Sequence, residues 1–142
     1  MDMRFDLPTH LRLRQGMPTV DLVVDAAPAA AWEVLTDLDA WPEWGPTVVG
    51  ATLDGPGSLA LGARGTVRTA VGIALPFEIS EFVDGRSWAW RVGGVSATRH
   101  EVFPHDHGCV VSFGVPLWAP AYLGVMAIAL GRVARMSARR DA

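Results

Sequence analysis

The chain has 142 residues, half of them hydrophobic and 19% charged, with a formal net charge of −3; its twelve lysine-or-arginine positions are all arginine. That is the size of one domain with a real core, and the composition excludes a disordered chain and a basic nucleic-acid binder. One cysteine, Cys109, excludes an internal disulfide framework and fits a reducing, cytoplasmic setting.

Residues 1–17 read as an N-terminal arm in which Pro8 and Gly16 interrupt any period. Charge alternates there with apolar residues and no apolar core of a secretory leader is present. A single domain is expected over residues 18–140. Its first strand is Val20–Asp25, rich in β-branched residues. Pro28 opens a helix carrying Trp32 and Leu35 on one face, with a weak cap at Ala27. Asp39 is placed to cap a second short helix containing Trp41, Pro42 and Trp44, which Gly45-Pro46 ends.

From Thr47 onward short β runs alternate with turn residues. Thr47–Leu53 precedes the Asp54-Gly55-Pro56-Gly57 turn, and Arg64–Val71 alternates with Gly65, Val67 and Thr69 on one face and Arg68 on the other. Leu75–Val83 and Ser87–Val92 form a hairpin across Asp84-Gly85. Ala97–Phe103 and Cys109–Val115 form another across Asp106-His107-Gly108. The connections are too short for crossovers, so the strands are antiparallel. A long helix from Pro120 to Arg139 closes the chain. Its apolar run, Trp118 to Leu130, falls short of the ~20 residues that span a bilayer, so no stable membrane insertion is expected.

The expected fold is therefore α+β: a seven-stranded antiparallel curved sheet wrapped around a long C-terminal helix, with two short helices after the first strand. A twisted sheet and a straight helix do not fit flush, and the gap between them is where a small-molecule site forms.

Val20–Asp25 followed by Ala26 to Asp37 resembles the opening of the SRPBCC superfamily of START-like helix-grip proteins. Asp39-Ala40-Trp41-Pro42-Glu43-Trp44 resembles a segment of its polyketide cyclase/dehydrase branch. Trp88-Ala89-Trp90-Arg91, Arg99 to Phe103 and Gly108 to Val111 follow in that family's order. The resemblance implies a helix-grip fold with a deep cavity. Its members bind lipids, polyketides, hormones or other apolar ligands, and some are cyclases or hydrolases.

Strand parity places Trp88, Trp90 and Val92 on the concave face, and His100 there with Thr98 and Val102. Arg99 and Glu101 take the outer face as weak surface pairs. The expected cavity wall is Trp41, Trp44, Val67, Ile79, Trp88, Trp90, His100, Val102, Val111, Phe113, Leu123, Met126, Ala127 and Leu130. On the helix, Leu123, Met126, Ala127, Leu130 and Ala134 form the stripe toward the sheet. Val125, Ile128 and Ala129 are left as an apolar surplus on the other side, suggesting a homodimer contact or a membrane-touching face.

For chemistry, His100 is the one inward candidate for a general acid or base. Glu78 and Glu81 lie three apart, so at most one can face inward on a regular strand, although Ile79 and Phe82 conflict in the same way and point to a bulge near Ser80. Metal is not expected at His105-Asp106-His107, a tight turn, and Cys109 has no base partner. No cofactor is expected. Carriage of a small hydrophobic ligand is favoured over catalysis. The alternatives are a polyketide aromatase/cyclase or dehydratase, whose inner-strand arginine is missing because Arg68 faces out, and a protein-interaction module using the last helix.

Overall fold

The computed structural model describes residues 9–142 of the chain. The part of the expected arm before Thr9 lies outside them. Eight strands form one sheet in the order β1-β2-β8-β7-β6-β5-β4-β3, every neighbouring pair antiparallel. They are β1 (Thr9–Arg14), β2 (Met17–Val24), β3 (Val48–Leu53), β4 (Arg64–Thr69), β5 (Ala74–Val83), β6 (Ser87–Val92), β7 (Val95–His105) and β8 (Gly108–Gly114). Between β2 and β3 come α1 (Pro28–Thr36), a single 3₁₀ turn (Leu38–Ala40) and α2 (Trp41–Trp44). A second 3₁₀ turn (Pro120–Tyr122) leads into α3 (Leu123–Asp141).

The sheet has eight strands rather than seven. The extra one, β1, lies in the segment read as an arm, where Leu11 and Leu13 alternate with Arg12 and Arg14. Gln15 and Gly16 both sit at positive φ, 50° and 79°, as a tight type I′ hairpin turn requires. This hairpin lays its arginines over the outer face of the sheet. Arg12 pairs with Asp21 at 2.6 Å, and Arg14 grips Glu101 through two hydrogen bonds of 2.8 and 3.0 Å. Glu101 is only 4% exposed as a result, and Arg99 reaches Glu81 at 2.8 Å beside it. Arg99 and Glu101 do face outward, but they are covered rather than surface pairs.

The bulge near Ser80 is present, as a register shift between Ile79 and Glu81. One extra residue reverses parity along the strand. Ile79 is thereby buried and Phe82 packs its ring 5.7 Å from Trp32. Neither glutamate turns inward: Glu78 pairs with Arg64, and Glu81 with Arg99 and Ser87.

Asp39 does not cap α2, whose N-cap is Ala40 without a side-chain hydrogen bond; it lies within the 3₁₀ turn, which Asp37 caps by accepting from the Asp39 N–H. Helix α3 buries Met126, Ala129, Leu130, Val133, Met136 and Ser137 against α1 and β2. The helix is therefore rotated from the expected stripe, with Leu123, Ala127 and Ala134 only half-buried. A run apolar on nearly all sides does not specify which side turns in. Ala129 is fully buried and Val125 partly so, leaving Ile128 alone of the expected surplus exposed. No helix among the described residues is long and apolar enough to cross a membrane.

Candidate functional site

The depth of the grip is filled by rings. Trp41 of α2 stacks on Trp88 of β6 with centroids 5.1 Å apart and 14° between planes. Trp90 meets both edge-on, and Trp44 packs against Phe113 and His100. Their polar edges have a common purpose. The last carbonyls of α1 have no partner within the helix. Leu35 O accepts from the indole N–H of both Trp41 (2.9 Å) and Trp88 (3.1 Å), and Val34 O accepts from Trp44 (3.1 Å). The tryptophans thus fasten α1 to the sheet, which explains why α2 carries two of them.

His100 lies under this layer, 1% exposed and stacked on Trp88 at 3.9 Å. Its Nδ1 is 3.3 Å from Trp88 O, an atom that only accepts, so Nδ1 carries the proton and donates. Nε2 then accepts from the Thr98 hydroxyl at 3.1 Å, and Thr98 Oγ1 accepts from the Trp90 indole at 3.0 Å. Every donor in this chain meets an acceptor only when the imidazole is neutral. Burial acts the same way and lowers the His100 pKa from 6.5 to about 3, against a small raising effect of the Trp88 carbonyl. A ring with both nitrogens engaged by protein is poorly placed to exchange protons with a ligand.

The open space lies beside this filled layer, toward the end of the sheet where β4, β6 and β8 finish. A cavity of about 330 Å³ is bounded by Val67 and Thr69 of β4, Trp90 and Val92 of β6, Ala97 and Thr98 of β7, and Thr47 and Val48. Its remaining wall is the segment from Pro116 to Tyr122, the strap between β8 and α3. A register shift opposite Trp90 lets the successive residues Ala97 and Thr98 both face it. The Trp118 indole N–H donates to Ser96 O at 3.2 Å and so ties the strap to β7. Tyr122 and Thr47 share a hydroxyl–hydroxyl bond of 2.5 Å. A void of about 50 Å³ continues inward between Trp41, Trp44, Trp88, His100 and Met126. It shares Thr47, Val48, Trp90, Thr98 and Tyr122 with the main cavity.

The lining is almost wholly apolar; its residues with polar side-chain groups are Thr47, Thr69, Thr98, Tyr122 and two tryptophans whose indole N–H groups are already bonded. Of the expected wall residues, Val67 and Trp90 face the main cavity, while Trp41, Trp44, Trp88, His100 and Met126 reach only the small void. Ile79, Val102, Val111, Phe113 and Leu130 are solid core, and Leu123 and Ala127 pack partly buried against it. Parity already turned Val92, Thr69 and Thr98 inward. The strap residues Pro116, Trp118, Ala119 and Tyr122 have no period to reveal them.

Elsewhere the described residues hold no cluster of three potential metal-ligating side chains, and His105, Asp106 and His107 form an exposed turn. Cys109 is fully buried, and burial pushes its thiol up to about 11, the wrong direction for a nucleophile. Arg68 is exposed on the outer face of β4.

The family described as polyketide cyclase/dehydrase and lipid transport matches residues 17–140. No curated protein matches the chain. Among solved structures it is similar to a protein from Mesorhizobium loti, 13% identical with TM-score 0.68, over 87% of this chain and 98% of that one. It is likewise similar to a protein from Nitrosomonas europaea, 13% identical with TM-score 0.65, over 85% and 93%. The Aha1 dimer from Colwellia psychrerythraea is 14% identical with TM-score 0.60, over 84% and 96%. At such identities these likenesses establish the shared fold.

Proposed function

The chain belongs to the polyketide cyclase/dehydrase and lipid transport family, and on that premise we propose that it binds and carries one small, uncharged, hydrophobic molecule in the cavity beneath the strap. The observation that carries this reading is the chemistry of the walls. An apolar space of about 330 Å³, offering a few hydroxyls and no cation, carboxylate or imidazole, suits a neutral lipid-like, polyketide or aromatic metabolite with at most one or two hydrogen-bonding groups. A buried carboxylate in the same place would meet no charged partner and would cost several kcal/mol.

The catalytic alternative, an aromatase/cyclase or dehydratase, finds less support in these walls, because both His100 nitrogens are engaged by Thr98 and Trp88 and Arg68 faces away. The experiment is a titration with phenylnaphthylamine, a neutral apolar fluorophore, together with native mass spectrometry of the purified chain. Saturable binding that Ala97→Trp abolishes by filling the cavity supports the reading. Absence of any bound or binding apolar compound, with no shift in melting temperature, would sink it. Turnover of a poly-β-ketone analogue would favour the enzyme instead.

A further inference from the structure

Antiparallel pairing sorts the turns of this sheet onto two unlike ends. The β1–β2 turn, the start of β3, the β4–β5 turn, the β6–β7 turn and the strap after β8 all gather at the end where the cavity opens. Residues 15–18, 45–50, 69–77, 92–98 and 114–131, which build that end and the start of α3, contain no Asp, Glu, Lys, Arg or His. The opposite turns carry Asp25, Asp54, Asp84, Arg86, His105, Asp106 and His107. At the uncharged end Val49, Val71, Ile73, Val95, Leu117 and Trp118 are all exposed, Val71 to 79%.

Six large apolar side chains on four separate segments, ringed around an apolar opening, form a surface that water disfavours. We propose that this end of the molecule docks on a lipid bilayer, with the turn tips seated in the interfacial layer and the cavity mouth facing it. Three observations select a lipid surface over a protein partner. The apolar groups surround a hole, which hydrocarbon can wet and a flat protein face cannot fill. The ring lacks the charged and polar rim that protein interfaces carry. Directly behind the tips, on the outer face, stand Arg68, opposite Ala74, and Arg91, opposite Ser96. Neither makes an ion pair with another described residue within 4.0 Å. Apolar tips followed by cations match the order of hydrocarbon edge and phosphate in a bilayer, and the acidic turns point the other way. Trp118, with its N–H already bonded and its ring exposed, suits that boundary. Docking is read from the tips rather than from the cavity, so it stands or falls separately from the ligand reading.

The test is flotation of the full chain with phosphatidylcholine vesicles, alone or containing phosphatidylglycerol. Wild type should float with both, and more strongly with the anionic vesicles. The double variant Val71→Asp/Leu117→Asp, at two exposed positions, should lose about tenfold or more in partitioning. Val83→Asp, 54% exposed but at the charged end, should float like wild type. Melting curves of all three verify that they fold. The proposal is overturned if wild type floats with neither vesicle, if Val83→Asp loses as much as the tip variant, or if the tip variant keeps full binding. A wild type that ignores vesicles but forms a dimer broken by the tip substitutions would overturn it in favour of a second copy. Ala97→Trp separates the two readings, since it should abolish fluorophore binding and leave flotation intact.

Discussion

His100 shows that strand period fixes the direction of a side chain while its neighbours decide its work. Period two turned it inward, and it is inward, but Thr98 and Trp88 engage both of its nitrogens. Its consequence lies in stability. The folded ring resists protonation until about pH 3, whereas an unfolded histidine protonates near 6.5. The unfolded chain therefore binds more protons between those values, and stability falls as pH drops through that window. At pH 5 this residue alone should remove about 2 kcal/mol relative to pH 8. Urea unfolding at both pH values should show a smaller difference for His100→Gln than for wild type. Trp41→Ala should cost about 3–5 kcal/mol, because it empties a stacked core position and frees a helix carbonyl. Trp90, half-buried and facing the cavity, behaves differently: Trp90→Ala should weaken fluorophore binding more than it lowers the unfolding midpoint.

Elements were legible where their signals were local. The Asp84-Gly85 hairpin formed as expected, and the parity conflict of Ile79 with Phe82 located a real bulge. The Leu-Arg alternation of residues 11–14 was equally local, but a lone hairpin strand whose one β-branched residue is Thr9 looks like an arm until its partner is known. Helix α3 was mis-rotated because an all-round apolar run has no polar side to orient it. The N-terminal hairpin has its own test. Arg14→Ala leaves Glu101 covered without its partner and should cost about 2–3 kcal/mol, somewhat less than for a fully buried pair since Arg14 is 28% exposed. Adding Glu101→Leu should recover much of that loss, measured as the urea midpoint of the double variant.

At the scale of the molecule the site was harder to foresee than the fold. The order strand, helices, strands, helix dictates a gap between sheet and α3, but not which part of the gap stays empty. Four tryptophans with Phe77, Phe113 and His100 fill the centre, so the space is displaced to one end and closed by the strap. The order of strands also governs how the chain is made. β2 forms its sheet bonds with β8, and Thr19 pairs with Gly114 near the other end of the sequence. During synthesis the first hairpin must wait with an unmatched edge while six strands emerge from the ribosome. Non-local closure of this kind slows folding to about milliseconds to seconds. Until β8 arrives, that waiting edge, on β2, is the part of the sheet most open to pairing with another chain.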